Sequence, residues 1–159
     1  MTAAIETGDK ATTLSLEATG GNSARIPPAS GRGLVVFFYP KDNTPGCTNE
    51  AKDFSALKSD FAAAGYDILG ISKDSLKSHE GFVSKQALTI PLASDPEGEA
   101  CEAFGVWVEK SMYGRKFMGI ERSTFLIGPD GHIQAVWRKV RVKGHAAAVL
   151  AEAQGLQQG

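Results

Sequence analysis

The chain has 159 residues, 42% hydrophobic and 22% charged, with a formal net charge of −1. That composition fits one soluble globular domain over residues 1–159, long enough to bury a core, and its charge balance gives no case for nucleic acid or an anionic membrane as partner. No apolar run approaches the ~20 residues of a spanning helix, and the opening MTAAIETGDKATTLSL lacks the basic start and apolar block of a secretory signal, so a cytoplasmic location with reduced thiols is expected.

The first thirty residues are rich in Thr, Gly, Ser and Pro, with short strands expected at 13–17 and 24–26. Residues 34–39 form a continuous β-branched and aromatic run, the signature of a central strand covered on both faces. Residues 47–64 predict one helix, with Ala51, Phe54, Leu57 and Phe61 at helical spacing, Lys58 on the flank, and Gly65 as its stop. A buried strand follows at 66–72, then a helix at 75–86. A short strand at 89–92 precedes the turn Ser94-Asp95-Pro96 and a short helix at 97–104. Residues 123–127 and 133–138 flank Gly128-Pro129-Asp130-Gly131 and predict an antiparallel hairpin. A helix over 144–154 closes the chain. This order predicts an α/β fold: a central mixed sheet flanked by helices, whose first β-α-β unit is a parallel right-handed crossover.

The chain has two cysteines, Cys47 and Cys101, with no CxxC and no Cys/His cluster. A disulfide framework and a structural zinc site are therefore not expected. Cys47 falls where the first central strand hands over to its helix, in Thr44-Pro45-Gly46-Cys47-Thr48. Ligand sites in open α/β sheets cluster at such strand ends. Free N–H groups and the helix dipole at that end favour thiolate over thiol, and the thiolate is the nucleophile. The alternative is a small packing residue at the helix start. A phosphate-binding turn is discounted, because GxxxxGK[ST] is missing.

The run Phe38-Tyr39-Pro40-Lys41-Asp42-Asn43-Thr44-Pro45-Gly46-Cys47-Thr48 resembles the active-site segment of the peroxiredoxins, and within them the bacterioferritin comigratory protein (peroxiredoxin Q) class. The Pro-x-x-x-Thr-x-x-Cys pattern stands as Pro40, Thr44 and Cys47. Leu69-Gly70-Ile71-Ser72, Phe104-Gly105-Val106-Trp107 and the stretch from Gly119 through Arg122 to Ile127 resemble that class in the same order. The resemblance implies a thioredoxin-like fold and reduction of hydrogen peroxide and alkyl hydroperoxides, with no cofactor and no metal. It implies that Cys47 attacks the peroxide and becomes a sulfenic acid. Thr44 then hydrogen-bonds near thiolate and peroxide, Pro40 shields the pocket, and Arg122 holds the thiolate and polarises the peroxide. Without the family, Arg122 reads as a surface residue pairing with Glu121 or Glu109, and Thr44 as a helix cap.

Relatives carry a resolving cysteine at positions that match Lys52 or Val83 here, and neither is Cys. Cys101 shares a helical face with Phe104 and reads as a packed structural residue; the alternative is a resolving thiol brought to Cys47 by a large rearrangement. The expected mechanism is one-Cys, with thioredoxin, glutaredoxin or glutathione attacking the sulfenic acid, in a monomer. A peroxide sensor that passes oxidation to a partner protein is the alternative to an enzyme, and a thioredoxin-like disulfide reductase is a weaker one. Trp107 and Trp137 read as packing or pocket-wall aromatics. The run 138–143 reads as a solvated strand edge, and residues 113–117 as lying near the pocket or a subunit contact.

Overall fold

The computed structural model describes residues 5–28 and 30–158, so the first four residues of the opening stretch lie outside it. The chain enters through an antiparallel hairpin, β1 (Leu14–Ala18) with β2 (Asn22–Ile26). β1 alternates buried and exposed residues, as a strand with one wet face should. All six residues of β3 (Gly33–Phe38) are buried, as the apolar run predicts. After it come α1 (Pro45–Ala56), α2 (Lys58–Ala63) and β4 (Tyr66–Ser72), which pairs parallel with β3.

The single helix expected over 47–64 is thus two helices. At Leu57 ψ moves to 7°, and its N–H turns back to the Phe54 carbonyl at 3.1 Å. The break leaves both Phe54 and Phe61 fully buried. α3 (Leu76–Gln86) is capped by the Ser75 side chain, which accepts from the Ser78 N–H. The strand expected at 89–92 begins only at Leu92, as β5 (Leu92–Ser94). The Thr89 N–H is taken by the Ser55 hydroxyl, and Pro91 has no N–H to give a ladder.

α4 (Glu99–Ala103) lies within the expected span. β6 (Trp107–Met112) and β7 (Arg115–Ile120) then form a separate two-stranded sheet, absent from the sequence expectations. β8 (Ser123–Ile127) and β9 (Ile133–Trp137) pair antiparallel as expected, and α5 (His145–Gln158) closes the chain. β9 ends at Trp137, so 138–143 is no strand edge. Arg138 turns inward instead, donating to the carbonyls of Ile5, Phe104 and Gly105.

The main sheet runs β2-β1-β5-β4-β3-β8-β9. Successive residues of β3 point to opposite faces. Val36 and Phe38 enter a core cluster with Cys101, Phe104 and Phe125. Val35, Phe37 and Tyr39 enter a second cluster with Cys47, Phe54, Phe61 and Phe82. Phe37 and Phe54 stack at 4.6 Å between centroids, which ties α1 to the sheet just beyond Cys47. Each fully buried Phe contributes about 2 kcal/mol by burial alone.

Candidate active site

Pro45 opens α1 and Thr44 is its N-cap residue. The Thr44 carbonyl accepts the Thr48 N–H at 2.8 Å. Its hydroxyl makes no cap bond; it donates backwards to the Lys41 carbonyl at 2.8 Å, closing the loop ahead of the helix. Cys47 is the third helical residue, among the N–H groups without intrahelical partners, and is 1% exposed. Pro40 sits exposed on the same loop.

Arg122 reaches this place through strand pairing. β8 runs antiparallel to β3 with Phe38 opposite Ser123, so the residue before β8 lies beside the loop that leaves β3. The Arg122 backbone carbonyl is held by the Val140 N–H at 3.0 Å. Its guanidinium forks: Nη2 donates to the Cys47 Sγ at 3.4 Å, and Nη1 to Glu50 Oε1 at 2.7 Å. A Cβ on Gly46 would stand 3.2 Å from Nη2, so glycine clears the approach. Arg122 therefore does not make the surface pairing with Glu121 or Glu109. Burial opposes its charge, but Glu50 and Cys47 outweigh that and hold it above its ordinary value.

Glu50 was passed over in the sequence, although three residues beyond Cys47 puts it on the same helical face. It is 1% exposed, and its Oε2 is the only buried side-chain polar atom without a partner among the described residues. Burial pushes its carboxyl up to about 7 against the pull of Arg122. The folded chain thus holds a proton that the unfolded chain releases near its ordinary value of 4.5. The stabilisation from this group is complete below that value and is lost as pH rises through 7. Urea unfolding should show the wild type losing on the order of 3 kcal/mol relative to Glu50→Gln between pH 4 and pH 8. An unchanged difference across that range would refute it.

The loop is clasped from below. Tyr39 Oη donates to Asp42 Oδ1 at 2.7 Å, while Ser78 Oγ and His79 Nδ1 meet Oδ2 at 2.8 and 2.7 Å. The Asp42 N–H donates to Asp74 Oδ2 at 2.8 Å, and His79 Nε2 lies 3.0 Å from the Ala93 carbonyl. Burial works against the Asp42 charge, yet the bonds from His79, Tyr39 and Ser78 hold its carboxyl below the usual range. Asp42, Asp74 and His79 hold their ligand-type atoms within 4.8 Å of one another, and these atoms are engaged in joining the loop to α3.

Further out, His145 meets Thr124 Oγ1 at 2.7 Å and lies edge-on to Trp137. Burial first, and Arg122 second, bring His145 down to about 4. Trp107 carries the Lys73 ammonium over its ring at 4.1 Å and packs against the opposite core.

Cys101 is fully buried in the cluster on the other side of the sheet from Cys47. Burial pushes its thiol up, and the neighbouring Asp95 adds to this; Asp95 Oδ2 also takes its N–H at 2.9 Å. Lys52 is exposed on α1 and Val83 half-buried on α3. Both cysteines are free thiols.

Residues 7–136 match the AhpC/TSA family. The chain is 52% identical over 138 residues to Peroxiredoxin Bcp of Xanthomonas campestris pv. campestris, covering 87% of this chain and 86% of that one. It is 44% identical over 146 residues to Peroxiredoxin Bcp of Bacillus subtilis, covering 92% and 93%. Among solved structures it resembles the Xanthomonas campestris bacterioferritin comigratory protein, described for alkyl peroxide reduction from trapped intermediate and ligand complexes. There the TM-score is 0.86 and the identity 49%, over 91% of this chain and 92% of that one. It also resembles a cysteine mutant of Xylella fastidiosa PrxQ, with a TM-score of 0.91 and 40% identity over 97% and 98% of the two chains.

Proposed function

The chain belongs to the AhpC/TSA family, in its Bcp/peroxiredoxin Q branch, and is a thiol-dependent peroxidase of thioredoxin fold; on that premise we propose that Cys47 is its peroxidatic thiol and that turnover follows a one-cysteine mechanism. The 3.4 Å contact from Arg122 Nη2 to Cys47 Sγ carries the first part. A guanidinium there supplies donors for the charge that develops on oxygen as the O–O bond breaks.

The Cys47 thiolate attacks the distal oxygen of hydrogen peroxide or an alkyl hydroperoxide. An S–O bond forms, the O–O bond breaks, and the leaving oxygen takes a proton to depart as water or alcohol. Sulfur is oxidised to the sulfenic acid. Thr44 turns its hydroxyl from the Lys41 carbonyl toward the reacting oxygens when peroxide binds, since it has one hydrogen to donate, and Pro40 limits access to them. Arg122 is oriented by Glu50, which occupies the other arm of its fork.

The placement of Cys101 across the sheet supports the second part. An intrachain bond would need the two Cα atoms within about 7 Å, with β3 and its neighbours between them. An external thiol therefore attacks the Cys47 sulfenic acid and releases water. A second thiol then splits the mixed disulfide and restores Cys47. Thioredoxin, glutaredoxin and glutathione supply such thiols. The protein works as a monomer in the cytoplasm, without nucleic acid; no helix among the described residues is long and apolar enough to cross a membrane.

Peroxide consumption coupled to NADPH through thioredoxin and its reductase tests this. Cys101→Ser should keep turnover within about twofold of wild type. Loss of turnover in that variant would assign the resolving role to Cys101 and end the one-cysteine mechanism.

A further inference from the structure

Four of the five large apolar side chains left exposed among the described residues lie on the β6–β7 hairpin: Met112, Tyr113, Phe117 and Met118. The hairpin pairs with no strand of the main sheet. Its two-residue turn, Tyr113-Gly114, has positive φ at both positions, which suits the twist of a tight hairpin. Tyr113 is thereby held at the tip, 98% exposed.

Residues opposite one another on paired strands share a face. Val108 with Gly119, Lys110 with Phe117 and Met112 with Arg115 make one face; Glu109 with Met118 and Ser111 with Lys116 make the other. The bare Gly119 lets the first face close up: a Cβ there would stand 3.2 Å from Lys110 Cδ and 3.5 Å from Phe117 Cε2. This face adjoins the thiol. β7 ends at Ile120, two residues before Arg122, whose Nη2 lies 3.4 Å from the Cys47 Sγ, and the half-buried Lys110 ammonium feels the charges of Arg122, Glu121 and Cys47.

Exposed Tyr, Phe and Met beside an Arg are the makings of an interface core, and the charges indicate its occupant. The face itself carries Lys110 and Arg115 and no carboxylate; Glu121, just past β7, acts on Lys110 at its inner end, and Glu109 is on the far face and paired with Lys116 at 3.7 Å, which leaves Arg115 at the outer end without a carboxylate on its own face. A second copy docking face to face would set these cations against each other, whereas an apolar surface with an acidic rim complements them. We propose that the Lys110–Phe117–Met112–Arg115 face is the docking surface for a protein thiol reductant whose thiol lies in an apolar, acid-rimmed face. The proposal rests on external reduction of Cys47 and names the kind of partner that performs it.

The test varies thioredoxin at saturating hydrogen peroxide, with dithiothreitol as the small-thiol control. In the otherwise wild-type chain, Arg115→Glu with Phe117→Ser should raise the KM for thioredoxin about tenfold or more. Dithiothreitol-supported turnover and the rate of Cys47 oxidation by peroxide should not move. The far-face pair Lys116→Glu with Met118→Ser should leave the KM for thioredoxin unchanged. An equal KM in both double variants overturns the proposal, as does turnover supported by glutathione but by neither thioredoxin nor glutaredoxin. The one-cysteine mechanism fails separately, through lost thioredoxin-supported turnover in Cys101→Ser with the hairpin intact.

Discussion

Replacing Cys47 by Ser should lower the second-order rate constant for hydrogen peroxide by about 10⁴-fold or more. The hydroxyl is not ionised at neutral pH and is a far weaker nucleophile toward peroxide oxygen, while every other group of the site stays in place. The change is nearly isosteric at a buried position, so the melting temperature should move little. That separates loss of chemistry from loss of fold. Competition against a peroxidase of known rate gives the constant directly, and wild-type-like consumption by Cys47→Ser would place the reacting thiol elsewhere.

Arg122→Met should cost about 10² to 10³ in the same constant. Two losses combine. The Cys47 sulfur loses the donor at 3.4 Å, and Glu50 loses its 2.7 Å partner inside the protein. Glu50, already pushed up to about 7 by burial, then takes a proton more readily, so the buried carboxyl is neutralised rather than left bare. The penalty therefore falls on the rate more than on the fold. Arg122→Lys should recover only part of the rate, because an ammonium cannot span sulfur and carboxylate with one planar fork. A rate for Arg122→Lys equal to wild type would show that charge alone matters and that the fork does not.

How far the sequence revealed the molecule depended on the range of each interaction. β3 was legible because GLVVFF is buried on both faces and needs no alternation. The place of Cys47 in the first turn of a helix was legible because it follows from a local signal, the Pro and Gly just ahead of it. Arg122 was not legible from local pattern, since it is brought in by the pairing of β8 with β3; only the family resemblance pointed to it. Glu50 was within reach of simple helical spacing and was missed because an acidic residue on an exposed-looking helix invites no question. The β6–β7 hairpin gave no periodic signal because residues 111–118 are exposed throughout. The inward turn of Arg138 answers to backbone carbonyls distant in sequence, and the break at Leu57 to a local backbone turn that leaves the apolar spacing unchanged; side-chain pattern reports neither.

Treating the wild-type chain with one equivalent of hydrogen peroxide, without reductant and with dimedone present, then mapping peptides by mass, bears most directly on the mechanism. A dimedone adduct on Cys47 with Cys101 recovered as a free thiol is the predicted result. An intrachain Cys47–Cys101 disulfide would contradict it.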